Sequence, residues 1–221
     1  MTFKVIREQA NIIVLGHFNP AIFHPMWFAK HDLLPPSEAE AAKLEITHPE
    51  LAQFQAGWLT VSVQPGRFLA QTEDPSMEMP LRDLVLGTFS VLEHTPLTSM
   101  GINRLTWAQI DDEARWHELG HVLAPKSPWA DLMADPRTSR VEVTSTRGDA
   151  LPGRVLMRFE AVPELARGVL LNINHDIRQE SAAITDGALL MRHLNVHFER
   201  LQNESRQSLQ RLVSAAIGEQ A

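Results

Sequence analysis

The sequence contains no cysteine. That excludes disulfides, cysteine-ligated zinc and a thiol nucleophile, and it fits a reducing, cytoplasmic setting. Long apolar runs are missing too. The longest near the N-terminus, Ile12 to Leu15, is too short for a signal-peptide core or a membrane span, so no membrane association is expected. Basic residues are few: 20 Lys and Arg face 27 Asp and Glu, a net charge of −7. This balance argues against broad, charge-driven binding to nucleic acid or anionic lipid. No glycine-rich phosphate loop occurs, since Leu15-Gly16-His17-Phe18-Asn19-Pro20 holds a single glycine. No G-x-S-x-G elbow occurs either, and the serines are scattered through turns. The neighbouring carboxylates Glu73 and Asp74 sit at a strand-to-helix turn, where solvation is the ordinary state of such a pair.

What remains is an ordinary globular composition, 44% hydrophobic and 21% charged over 221 residues, enough for one large domain or two intimately packed ones. Ala10 to Gly16 reads as a buried strand, Met26 to Leu34 as a helix stopped by Pro35-Pro36, and Ser37 to Leu44 as a short helix with a capping box at Ser37-Glu38-Ala39-Glu40. Trp58 to Val63 alternates, Pro65-Gly66 turns, and Arg67 to Glu73 returns as its partner strand. Leu81 to Leu92 is an apolar helix.

From there the order begins again. Leu97 to Leu105 is a strand and Asp112 to Leu123 a helix, with Asp111 as N-cap. Arg140 to Ser145 and Arg154 to Glu160 form a hairpin across Pro152-Gly153, Gly168 to Asn174 adds a strand, and Gly187 to Ile217 is a long helix. Trp27, Leu33, Leu34 and Pro36 match Trp116, Val122, Leu123 and Pro125 at identical offsets. Pro65-Gly66-Arg67-Phe68-Leu69 with Glu73 matches Pro152-Gly153-Arg154-Val155-Leu156 with Glu160 in the same way. The expected fold is α+β: an antiparallel sheet of about seven strands with helices on one face. It is built from two duplicated β-α-β-β-α units, residues 1–95 and 96–221, the second with an extra strand. In element order this is similar to the saddle of the TATA-binding protein or the platform of histocompatibility molecules, a likeness that implies no function.

One segment has the spacing of a catalytic motif. His117-Glu118-Leu119-Gly120-His121 matches H-E-x-x-H, in which two imidazoles one helical turn apart grip zinc and the glutamate polarises its water. His193 and His197 form a second i, i+4 pair on the last helix, and His175 and Glu199 are further candidate ligands. The helical wheel opposes this reading. Trp116, Leu119, Gly120 and Leu123 make the apolar face, which leaves His117, Glu118 and His121 toward solvent. Arg115 also stands where the extended peptidase pattern wants an uncharged residue.

The strands carry a second signal. One face reads Val141, Val143, Val155, Met157, Phe159, Val169, Leu171 and Ile173, the side expected under the helices. The opposite face reads Glu142, Thr144, Leu156, Arg158, Glu160, Leu170, Asn172 and Asn174, joined by Thr60, Ser62, Gln71, Ser99 and Asn103. The last helix has an apolar stripe through Leu190, Leu194, Phe198 and Leu201. The stripe resumes at Leu209, Leu212, Val213 and Ile217 after the polar run Gln202 to Ser208. Either its final turns project past the sheet and bury that stripe against a second copy or another protein, or the helix kinks near Asn203 and folds back.

These features point to a non-enzymatic module that binds a protein partner and self-associates as a homodimer. Its expected contact residues are Asn103, Glu142, Arg158, Glu160, Asn172 and Asn174 on the sheet and Leu209, Leu212, Val213 and Ile217 on the helix. No cofactor is expected under that reading. The alternative is a zinc-dependent hydrolase using Glu118 with His117, His121, His193 and His197. A nucleic-acid saddle is disfavoured by the acidity of the chain.

Overall fold

The computed structural model describes residues 3–48, 50–178 and 187–218. Among them nine strands form one antiparallel sheet: β1 (Phe3–Gly16), β2 (Lys43–His48), β3 (Leu51–Ala56), β4 (Leu59–Gln64), β5 (Arg67–Thr72), β6 (Leu97–Ile110), β7 (Arg140–Thr146), β8 (Gly153–Val162) and β9 (Gly168–Arg178). Five helices accompany them: α1 (Pro25–Lys30), α2 (Pro36–Glu40), α3 (Glu78–Val91), α4 (Glu113–Leu123) and α5 (Gly187–Ile217). The α+β class with an antiparallel sheet agrees with the sequence. The strand count does not, because the hairpin β2–β3 occupies residues expected to be helix and loop. A register shift between Leu44 and Ile46 breaks the alternation that would have marked the first of these strands. The capping box does not form either: α2 starts behind Pro35 and has no side-chain cap. At α4 the cap is Asp112 rather than Asp111, its carboxylate accepting the Arg115 N–H at 2.9 Å.

The sheet order is β2-β3-β4-β5-β1-β6-β9-β8-β7. The two longest strands, β1 and β6, pair at its centre over most of their 14 residues each. Outward from β1 the strands run in reverse chain order, and outward from β6 they do the same. The two proline-glycine turns, however, are not in equivalent places. Pro65-Gly66 leads into β5, which lies against the central β1, whereas Pro152-Gly153 leads into β8, which β9 separates from β6. Gly153 has a φ of +113°, and a Cβ there would stand 2.1 Å from the Asp176 carbonyl oxygen. Glycine at that turn is therefore a demand of the β8–β9 contact.

Burial follows the alternation. Ala10, Ile12 and Val14 of β1, Met100 and Ile102 of β6, and the inward residues of β4 and β5 share one core with Phe23, Phe28 and Leu34 of the α1 region, Leu81, Val85 and Phe89 of α3, and Leu190, Leu194 and Phe198 of α5. A second core joins Leu119 of α4 and Leu209 and Val213 of α5 to Phe159, Val169, Leu171 and Ile173. All the helices that enter these cores therefore cover one face of the sheet. Helix α5 is unbroken over 31 residues and spans both cores. The final turns lie over the protein's own core, as the second course expected, on a helix that is unbroken past Asn203: Leu209 is 2% exposed and Val213 1%. Leu212 and Ile217 pack against the same core. Of the four helical contact residues expected to meet a partner, Leu209 and Val213 are thus buried in the protein's own core, whereas Leu212 and Ile217 keep part of their surface exposed.

Candidate functional site

The H-E-x-x-H segment lies on the outer side of α4. His117, Glu118 and His121 are exposed, while Leu119 is fully buried. The Trp116 indole N–H reaches the Gly168 carbonyl oxygen at 3.4 Å and ties the helix to β9. Beside the histidines, Lys126 caps the end of α4. Its ammonium donates to the Gly120 carbonyl oxygen at 2.9 Å and also to the Ala124 carbonyl and the Thr138 hydroxyl. His193 and His197 do lie one turn apart, with ring centroids 6.0 Å from each other. Yet α4 packs against Leu209 and Val213, at the other end of α5. Twelve residues of helix separate His197 from Leu209, about 18 Å at 1.5 Å per residue, so the four histidines are not brought together. Among the described residues no group of three or more His, Asp or Glu has the geometry to hold a metal ion. His175, a further candidate ligand, is buried elsewhere. Asp74 is used locally, accepting the Ser76 N–H at 2.9 Å.

Between the two apolar cores, under α5, lies a polar centre that the sequence did not announce. Arg104 of β6 is 1% exposed. Its guanidinium donates to Gln202 Oε1 at 3.1 Å, to Glu8 Oε1 at 2.8 Å and to Glu78, and Arg206 also grips Glu78 at 2.9 and 3.0 Å. Next to it, His175 of β9 has Ser205 Oγ 2.9 Å from Nε2 and Arg147 Nη1 3.3 Å from Nδ1. A guanidinium only donates, so Nδ1 accepts and the ring proton sits on Nε2, donated to Ser205. Burial first, then the charge of Arg147, pushes the imidazole down to about 4. Arg147 in turn pairs with Asp149, and this hydrogen bond, with a further one from Arg200, holds the Asp149 carboxyl well below its usual value. Ser, His and Asp are thus near one another, but Arg147 stands between the ring and the carboxylate. His175 and Ser205 are both buried, 5% and 3% exposed.

Among the described residues, no helix covers the opposite face of the sheet. Its residues fall into transverse rows because antiparallel partners share a face. One row runs Gln55, Thr60, Gln71, Asn11, Asn103, Asn174, Leu156, Thr144, across eight strands. At about 4.8 Å per strand it is about 34 Å long. The next runs Gln9, Leu105, Asn172, Arg158, Glu142, and the third includes Trp107, Leu170, Glu160 and Arg140. All six sheet residues expected on a contact surface therefore lie on this one face, in three adjacent rows.

Two properties distinguish the surface. The first is that five of its arginines stand within ion-pair distance of three carboxylates. Arg7 is 3.8 Å from Glu73, Arg140 3.6 Å and Arg158 3.5 Å from Glu160, and Arg154 3.0 Å and Arg178 2.8 Å from Asp176. Arg7 also stacks on the Trp107 ring at 3.7 Å. The second is that its amides are not matched. Of six buried side-chain polar atoms without a hydrogen-bond partner among the described residues, four are amide atoms on this face, Asn11 Oδ1, Asn103 Nδ2, Asn172 Oδ1 and Asn174 Oδ1, and a fifth, Arg158 Nε, makes no hydrogen bond but faces Glu160 at 3.5 Å. Asn11 and Asn103 are only 6% and 5% exposed. A buried polar atom that stays unpaired costs about 1–3 kcal/mol relative to a satisfied one. Asn11 is the member the sequence reading missed; its place in the period-two alternation of β1 was the signal that could have found it.

Among the described residues no helix is long and apolar enough to cross a membrane. Comparison with protein-family models finds none that matches this chain, and no curated protein matches it either.

Proposed function

We propose that this chain is a non-enzymatic binding protein that receives a protein partner on the helix-free face of its sheet. The observation that carries the reading is the gathering of four buried amide atoms without a hydrogen-bond partner on that face, across β1, β6 and β9. Groups left unpaired in the free chain gain most when a partner pairs them. The zinc-hydrolase reading has less support, since His117, Glu118 and His121 are exposed and no third ligand joins them among the described residues. The shared outward strand order supports descent of residues 1–95 and 96–221 from one duplicated unit, here a strand, a helix, three strands and a helix, with β2 an addition to the first.

The test uses a photo-crosslinking amino acid placed at Leu105, in the middle of the face, or at Glu118 on α4, in cells that make the protein. The partner captured is then purified and titrated against the full chain by calorimetry. Adducts from position 105 alone, and an affinity at least tenfold weaker for Asn172→Leu, are expected; tenfold corresponds to about 1.4 kcal/mol, roughly one buried hydrogen bond. Adducts only from position 118, or a partner indifferent to Asn172→Leu, would overturn the proposal.

A further inference from the structure

Among the described residues the sheet has two outer strands, β2 and β7. An outer strand offers a row of unpaired backbone donors and acceptors, and proteins blunt it with bulges, prolines and lysines. Strand β2 is blunted: it carries Lys43 and a register shift between Leu44 and Ile46. Strand β7 has no proline, no lysine and an unbroken register along β8 from Arg140 to Thr146. Its bonding phase is fixed at its start, where the Ala161 N–H donates to the Ser139 carbonyl oxygen at 2.9 Å. Opposed residues of an antiparallel ladder alternate between bonded and non-bonded pairs. Val141, Val143 and Ser145 therefore bond inward to β8, and Arg140, Glu142, Thr144 and Thr146 turn their N–H and C=O outward. The side chains of this margin are bare as well. Val143 is 61% exposed, and Met157, opposite it on β8, 39%. Both stand in line with the buried Ile173, on the side that the helices cover further in.

We infer that β7 is a self-pairing edge, which takes β7 of a second copy of this chain antiparallel to itself about a two-fold axis normal to the sheet. The strand's own sequence singles out this occupant. Residues directly opposite one another share a face, so the axis passes through one residue and its copy. Through Val143 it uses the whole strand: Arg140 stands opposite Thr146 of the second copy, Val141 opposite Ser145, Glu142 opposite Thr144, and Val143 opposite itself. No charge then faces its like. An axis through Glu142 sets two carboxylates opposite each other, which is destabilising, and an axis nearer either end leaves part of the strand without a partner strand. With the axis at Val143 the outward residues form four bonded pairs, about eight backbone hydrogen bonds. Val143 and its copy form a non-bonded pair, the kind that brings side chains closest, and the two Met157 side chains extend that apolar row on either side. The pairing consumes backbone groups and leaves the side chains of Arg140, Glu142 and Thr144 on the helix-free face, so it stands apart from the partner proposed for that face. A contact of one strand each is small for a protein pair, and the dimer is expected to dissociate on dilution.

Because the chain has no cysteine, a single introduced one reports its own neighbour. Val143→Cys and Ser145→Cys are oxidised mildly as purified full chains and separated on non-reducing gels. The Cβ atoms of directly opposed residues lie about 4.5–5.5 Å apart, close to the roughly 3.5–4.5 Å of a disulfide. The two copies of residue 145 are offset by four residues along the strands, about 14 Å. Covalent dimer is expected from Val143→Cys alone. Sedimentation equilibrium of the wild type should show a monomer–dimer equilibrium. Thr144→Pro removes an outward N–H and no bond to β8; it should weaken dimerisation at least tenfold while its far-ultraviolet dichroism matches the wild type. A wild type that stays monomeric at every concentration, a dimer indifferent to Thr144→Pro, or crosslinking from position 145 as ready as from 143 overturns the inference. If Thr144→Pro fails to fold, the cysteine pair decides: crosslinking from 143 alone upholds the pairing, and equal or no crosslinking refutes it. Val143→Cys joined to a foreign protein rather than to itself, when oxidised in a cell lysate, gives the edge to another partner and refutes it too.

Discussion

Acidification from pH 7 to pH 4.5 is expected to destabilise the fold through His175. The imidazole is buried under α5 and is kept neutral by desolvation and by the facing Arg147. Arg200 repels the charged form as well, while Glu204 and Asp149 favour it without reversing the outcome. The folded value is about 4 against an ordinary 6.5. As the pH falls through 6.5 the unfolded chain takes up a proton that the folded chain refuses, so stability drops from there down to about 4 and then levels off. At about 1.4 kcal/mol per tenfold difference in proton affinity, the full effect is about 3 kcal/mol, of which roughly 2 kcal/mol is lost by pH 4.5. That is a large part of a typical domain stability of about 5–15 kcal/mol. His193, also pushed down by burial and then by His197, acts in the same direction. Asp149 does not interfere, because a depressed carboxyl gives stability that is lost only below its ordinary 3.8. The assay is urea unfolding followed by tryptophan fluorescence at half-unit pH steps, on the wild type and on His175→Gln. The variant removes this titration and keeps a side-chain donor for Ser205. The wild type should lose more stability than the variant by about 2 kcal/mol over this range, with unchanged denaturant slopes. Parallel pH profiles for the two proteins would refute the reasoning.

Two further perturbations probe the interior. Arg104→Met leaves the buried Glu78 and the half-buried Glu8 with fewer donors; urea unfolding should show a loss of about 3–5 kcal/mol, partly recovered when Glu78→Gln is added, and a loss below about 1 kcal/mol contradicts the network's role. Truncation after Gln202 removes Leu209 and Val213 from the second core and Ser205 and Arg206 from the polar centre. Each lost apolar side chain is worth about 1.5–3 kcal/mol, so the shortened chain should show no cooperative unfolding transition; a sharp transition with native near-ultraviolet dichroism would place those turns outside the core.

How much was legible depended on whether the cause was local. The helix-free face could be assigned because residues two apart on a strand share a side, and one register through β6, β9, β8 and β7 carries Asn103, Asn174, Asn172, Arg158, Glu160 and Glu142 to it. The exposed placement of His117, Glu118 and His121 followed from the helical wheel of α4. The hairpin β2–β3 was missed because its bulge breaks the two-residue period and the preceding Ala/Glu-rich segment has helix propensity. The end of α5 was left between two courses for a different reason. Its buried line runs Leu201, Ser205, Leu209, Val213, and Ser205 belongs to it only because His175 lies beneath. A serine in an apolar stripe reads as a gap until the group it bonds is known.

By itself the sequence determined the α+β class, most of the strands and helices, the Pro-Gly turns and the two-sidedness of the strands. All of these arise from contacts and backbone preferences within a few residues of one another. Only the tertiary structure decided which strands are neighbours, so that Asn11, Asn103 and Asn174 stand side by side. It alone decided that Arg104 is buried, through partners 96 and 98 residues away, and that α5 closes both cores. Burial and pairing are properties of surfaces that meet after the chain has returned on itself. No local pattern encodes whether a polar side chain then finds a partner, as Arg104 does, or is left without one, as Asn103 is.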